Sequence, residues 1–268
     1  MNPKILVVVP FCKGDSDQAE KLCDWIYQLN GCQPEGHALL VASGDTHKEV
    51  VAKVQMAAEV SFLNVTVFED KANSDIAPKI QRINRAIIGA ADFVARHFNW
   101  PFLWLEPDAF PSKQEWLEQL AETYFSQPKK FMGPFMQYLD KDKKEHICTG
   151  RVAVYSPDAV NILRPFTATA VPFNIMGQEK LTAVSSKSQL FQEMVINSAD
   201  DLIKMRTESV IVHSDKKGVF LTKMRDAAAS ETPEPPEDTR READPNWKTN
   251  PRKPKLPYYK ARAQLQTP

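Results

Sequence analysis

Pro101-Phe102-Leu103-Trp104-Leu105-Glu106-Pro107-Asp108-Ala109-Phe110-Pro111 is an apolar run of strand length that stops in two carboxylates held around a proline. Side chains along a strand alternate with period two, so two acids one residue apart leave the chain on the same side. Pro107 cannot donate to a ladder and ends the strand between them. Two carboxylates at one edge suit a divalent cation, because Mg²⁺ and Mn²⁺ take oxygen ligands and are held by one or two carboxylates plus substrate phosphates. The same acids also serve as the N-terminal turn of a following helix, and the pair alone does not separate the two uses.

Upstream, the chain alternates between strand and helix patterns. Residues 5–9, Ile-Leu-Val-Val-Val, form a continuous β-branched run ending at Pro10, as in a strand buried on both faces of a parallel sheet. After the loop at residues 11–15, Ala19, Leu22, Cys23, Ile26 and Leu29 recur at helical spacing, with Asp15 and Gln18 as a capping box and Gly31 as the stop. Residues 38–42 read as a second strand, followed by a helix capped by Thr46 and Glu49. Residues 64–68 read as a third strand. The amphipathic stripe Ile80, Ile83, Ile87, Ala91, Val94 and Phe98 then leads into the opening stretch as the fourth. This alternation predicts an α/β sheet of mostly parallel strands, which binds ligands at the strands' carboxyl ends, where Glu106 and Asp108 stand.

Downstream, Ser112 with Glu115 is expected to cap a helix carrying Trp116, Leu117, Leu120 and Tyr124. Residues 131–138 and 150–155 read as strands around a charged turn at 140–145. Ser156-Pro157-Asp158 opens a further helix. Residues 165–187 lack periodicity and are long for a structureless connection, which predicts a binding loop. A short helix is expected at residues 191–197 and a strand at 209–213, ending before Lys216-Lys217-Gly218.

The chain has 268 residues, enough to bury a sizeable core, and its 34 basic and 34 acidic residues cancel, so no average field draws it to nucleic acid or anionic membrane. The four cysteines have no metal-type spacing and are expected as reduced packing thiols of a cytosolic protein. No segment reads as a membrane span or signal peptide, and a soluble cytoplasmic protein is expected. The domain is expected at residues 1–229. A Pro- and acid-rich linker at 230–246 and a basic tail at 247–268, bearing Trp247, Tyr258 and Tyr259, are expected after it.

With its parts in this order, the chain resembles the GT-A glycosyltransferases over roughly its first 225 residues. The resemblance implies a single GT-A-like domain with a Rossmann-like nucleotide-binding half and a flexible C-terminal tail. It implies a nucleotide-diphosphate sugar as donor, with Mn²⁺ or Mg²⁺ as cofactor. The family's D-x-D motif is matched by the variant Glu106-Pro107-Asp108, and its late-strand histidine by His213. On that basis Asp108, Glu106 and His213 are expected to hold the metal, with Glu106 alternatively on the ribose. Pro10, Phe11 and Asp15 are expected at the nucleotide, and Lys216 or Lys217 at the diphosphate, with Arg85 or Arg82 reaching it from the third helix. The run at residues 149–155 resembles the family's acceptor-side strand.

If the sugar is inverted, the acceptor needs a base, for which Glu193 and Asp201 are the candidates carried forward, with Asp200 and Glu179 beside them. Asp200-Asp201 reads equally as a helix cap. The acceptor is unassigned. The basic aromatic tail is compatible with DNA, including hydroxymethylated bases in an enzyme of phage type. Rival readings are a nucleotidyltransferase, which normally carries a glycine-rich loop where this chain has Gly14 alone, a nucleotide-sugar hydrolase, and a non-catalytic nucleotide-sugar module.

Overall fold

Four parallel strands, β1 (Leu6–Phe11), β2 (Gln33–Ser43), β3 (Phe62–Asp70) and β4 (Phe102–Trp104), lie in the order β3-β2-β1-β4. In the computed structural model, residues 4–31, 33–71, 79–139, 142–166, 171–198, 201, 204–213 and 215–223 are described, with residues 33–35 as backbone only. The linker and tail expected from residue 230 onward, and Asp200, lie outside the described residues.

The sheet continues from β4 to β9 (Ala153–Tyr155), then β6 (Phe131–Gly133) and β10 (Ser185–Lys187). Of these seven strands only β9 is antiparallel to its neighbours. Strand order reverses beside β1, the position at which open α/β sheets part their loops and admit ligands. Leu6, Val8, Leu39, Val41, Phe102 and Trp104 face a core shared with α3 (Lys79–His97) and α5 (Ala159–Leu163). Val7, Val9 and Leu40 are also fully buried, on the side where α1 (Ser16–Asn30) packs against α2 (Lys48–Ser61). Burial on both faces is the physical reason that β1 shows no polar alternation. No described helix is long and apolar enough to cross a membrane. Cys12, Cys23 and Cys148 are free thiols.

A second, three-stranded sheet, β11 (Phe191–Glu193), β12 (Ile211–His213) and β5 (Ala109–Pro111), stands at the end of β4. Residues 191–193 are therefore a strand and not the start of the expected helix. Buried Phe191 anchors them, and the parallel ladder with β12 supplies backbone partners that so short a helix would lack. Residues 131–138 divide between β6 and a separate hairpin of β7 (Phe135–Leu139) and β8 (Glu145–Thr149), with Pro134 at the break. The expected binding loop at 165–187 contains α6 (Phe173–Met176), α7 (Gln178–Val184) and β10, elements too short to print a period on the sequence.

The expected caps differ as well. Ser112 donates its hydroxyl to the Ser209 carbonyl at 2.7 Å, and α4 (Trp116–Ser126) begins after Glu115 in a left-handed conformation. Asp15 accepts the Cys12 N–H instead of capping α1. Thr46 Oγ1 makes no hydrogen bond, and α2 starts after His47. Asp158, not Ser156, stands at the N-terminus of α5.

Gly44 follows β2 where the chain crosses the end of β3, and a Cβ there would lie 2.7 Å from both the Asp70 carbonyl oxygen and Lys71 Cα. Both obstacles are backbone, so Gly44→Ala is expected to cost about 1–3 kcal/mol of stability. A urea-unfolding midpoint equal to the parent's would show instead that this crossing yields freely.

Candidate active site and metal centre

Register in the small sheet builds the site. β12 runs antiparallel to β5 with His213 opposite Ala109, so the imidazole arrives beside Asp108. The Asp215 N–H donates to the Asp108 carbonyl at 2.9 Å and fixes that approach through the backbone. Glu106 and Asp108, on the turn between β4 and β5, reach His213 from one side: Nε2 stands 3.4 Å from Glu106 Oε2 and 3.3 Å from Asp108 Oδ1. One ligand atom from each of the three residues lies within 4.8 Å of the others.

His213 is buried, and its Nε2 is within ion-pair reach of both carboxylates but aligned for a hydrogen bond to neither. A buried ring nitrogen without a hydrogen-bond partner, aimed between two carboxylates, is a donor set that fits a divalent cation. The other ring nitrogen, Nδ1, lies 2.7 Å from Glu193 Oε2. Glu106 is further held by Arg151, 2.9 Å from its Oε2, and by the Trp104 indole N–H, 3.4 Å from its Oε1.

The local field favours charge on every member of this cluster. Burial alone would raise the Asp108 and Glu106 carboxyls, but His213 and Arg151 reverse the effect and hold both below their ordinary values. Burial likewise pulls the His213 imidazole down, and the three surrounding carboxylates push it up to about 11. The space between Glu106 and Asp108 thus selects positive charge. Asp15 is shifted the other way, raised by its burial.

Glu106 and Asp108 open into a cleft of about 500 Å³ at the carboxyl ends of β1 and β4, and His213 stands behind them, outside its lining. Pro10, Phe11, Asp15, Glu106, Asp108 and Lys216 all line it, so the structure brings these predicted residues together. Lys79 and Arg82, at the start of α3, also line it, and Arg151 enters from the turn before β9. The described lining therefore carries four cations, Lys79, Arg82, Arg151 and Lys216, together with the acids Asp15, Asp70, Glu106 and Asp108.

Several expected residues stand elsewhere. Arg85 is exposed and outside the lining; of the two arginines weighed on this helix, Arg82 is the one turned to the cleft. Lys217 is exposed and also outside the lining. Asp201 accepts the N–H groups of Asn197 and Ser198 at 3.0 and 3.1 Å and pairs with Lys204, the work of a turn. Glu193 is committed to His213, and Glu179 opens α7 away from the lining residues. Lys79 was legible in principle, since it shares a helix face with Arg82 at i, i+3. Arg151 had no local signal beyond its place in the run 149–155.

No protein-family model and no curated protein sequence matches the chain. Solved structures do. The galactosyltransferase LgtC, in complex with donor and acceptor sugar analogues, aligns with a TM-score of 0.51 at 9% identity, covering 89% of this chain and 99% of that one. Mouse xyloside xylosyltransferase 1 aligns with a TM-score of 0.52 at 9% identity, over 80% of this chain and 98% of its own. The bifunctional glycosyltransferase WbbM gives a TM-score of 0.54 at 8% identity, over 80% of this chain and 46% of its own. At such identities the likeness is one of fold.

Proposed function

We propose that this chain, which has the GT-A fold of those sugar transferases, is a metal-dependent glycosyltransferase using a nucleotide-diphosphate sugar. The observation that carries the reading is the Glu106, Asp108 and His213 cluster near the reversal point of the sheet, whose two acids line a cleft with four cations. In the reaction the bond from the sugar's anomeric carbon to the diphosphate breaks, a bond to an acceptor oxygen forms, and the acceptor's proton is released. A bound divalent cation supplies Lewis-acid charge for the departing diphosphate.

The protein's own residues frame that event. Asp108 and His213 offer ligand atoms for the cation, and Glu106, tied to Arg151 and Trp104, is the third. Lys216, Lys79 and Arg82 place positive charge where the diphosphate develops negative charge, and the first turn of α3 adds its N-terminal dipole. Pro10 and Phe11 give an apolar wall to the end of the cleft at β1, suited to the nucleoside. Gln18 holds the loop after β12 by donating to the carbonyls of Asp215 and Lys216, which positions Lys216 at the rim.

The reading is tested by thermal unfolding with UDP, GDP, CDP and their sugar conjugates, with and without Mn²⁺, since a ligand that binds only the folded state raises its melting temperature. A rise for one diphosphate that depends on Mn²⁺ is expected. A donor that raises stability is then incubated with acceptors, hydroxymethylated DNA and simple sugars among them, and transfer is read as the acceptor's mass increase. Absence of any nucleotide effect across the set would refute the proposal.

A further inference from the structure

We infer that Glu193 is a positioning residue that sets the His213 ring as a cation ligand, and not the base that activates the acceptor. The inference rests on the metal-dependent reading of the site. Glu193 and His213 are cross-strand partners in the parallel pair β11 and β12, so the backbone ladder itself puts the carboxylate alongside the ring. The Met194 N–H donates to the His213 carbonyl at 3.0 Å and continues that ladder past the pair. The resulting contact, 2.7 Å from Nδ1 to Oε2, is the shortest polar contact that His213 makes to these carboxylates.

An ionised carboxylate only accepts, so the hydrogen of this bond belongs to Nδ1. That leaves Nε2 as the ring atom facing Glu106 and Asp108, with the ring's rotation fixed. A cation entering there would take the place of the Nε2 proton, on a ring whose rotation the carboxylate behind it has already set. Gly150 protects the arrangement: a Cβ at that position would fall 2.9 Å from Glu193 Oε1 and 2.5 Å from Pro134 Cγ. The carboxylate thus has a reserved place behind the imidazole. It does not line the cleft in which an acceptor hydroxyl would have to be reached.

The experiment compares wild-type protein with Glu193→Gln and Glu193→Ala. Mn²⁺ affinity is read by calorimetric titration and by the electron paramagnetic resonance signal of free Mn²⁺, with no donor sugar present. Nitrogen NMR of the His213 ring is recorded in the metal-free proteins. Affinity is expected to fall tenfold to a hundredfold in Glu193→Ala and less in Glu193→Gln, which keeps the acceptor oxygen but not its charge. The alanine variant is also expected to lose the fixed Nδ1–H signature. Melting temperatures of the metal-free proteins show that each variant is folded. If wild-type protein binds Mn²⁺ and both variants bind it equally well, the positioning role is overturned while the metal site stands. If wild-type protein itself does not bind Mn²⁺, both readings fall together.

Discussion

Asp108→Asn is expected to lower kcat/KM on the order of a hundredfold or more, while the fold is kept. Asp108 supplies a ligand atom to the cluster and lines the cleft, so the substitution strikes the point at which charge would develop on the departing diphosphate. A hundredfold loss corresponds to about 2.7 kcal/mol of transition-state stabilisation. Asparagine has the same shape, and the backbone carbonyl that accepts the Asp215 N–H is untouched, so the approach of β12 to β5 is kept. The effect is therefore separable from unfolding. Steady-state kinetics on the donor found by the thermal screen, with Mn²⁺ titrated at each step, measures it. Unchanged turnover together with unchanged Mn²⁺-dependent diphosphate binding would remove Asp108 from the centre of the site.

Trp104→Ala is expected to produce the largest loss of stability, about 3–5 kcal/mol. Trp104 is 1% exposed, belongs to the core beneath α3, and sits on the strand that β1 and β9 flank. Its removal leaves a void that the paired strands on both sides cannot collapse to fill. Trp104→Phe separates this packing role from the indole's other contact, the N–H 3.4 Å from Glu106 Oε1. The phenylalanine variant should keep most of the stability and lose cation affinity, because Glu106 is then held by Arg151 with less restraint. Guanidinium unfolding and Mn²⁺ titration on both variants test the pair of expectations. Equal cation affinity in Trp104→Phe and the parent would confine Trp104 to the core.

What was legible in the sequence follows from how far each feature depends on distant partners. β1 and β4 announce themselves because burial on both faces demands uninterrupted apolar runs, and α3 because nineteen residues repeat its stripe several times. Glu106 and Asp108 are legible because acids directly after an apolar strand mark the edge of the sheet. His213 is legible only through the resemblance to the glycosyltransferases, since a lone histidine at a strand end carries little signal of its own. By contrast, β10 and β11 are held mainly by ladders to strands elsewhere, and Ser185-Ser186-Lys187 has no strand character of its own. Glu193 could be seen as chemically apt but not placed, because which residue faces His213 is decided by the register of β11 against β12. Arg151 was hidden for the same reason: only the antiparallel turn back along β4 brings it to Glu106.

The division of the cluster between two sheets also sets a timetable for synthesis. Glu106 and Asp108 leave the ribosome on the chain that closes the first sheet's parallel half, whereas His213 and Glu193 come from the last strands of the described domain. Domains built from the N-terminus onward complete their early elements first. A nascent chain interrupted before β12 has β1 to β4 but lacks the imidazole beside its two acids. Under the proposed metal-dependent reading, the complete ligand set would therefore exist only once the chain has been made through residue 213.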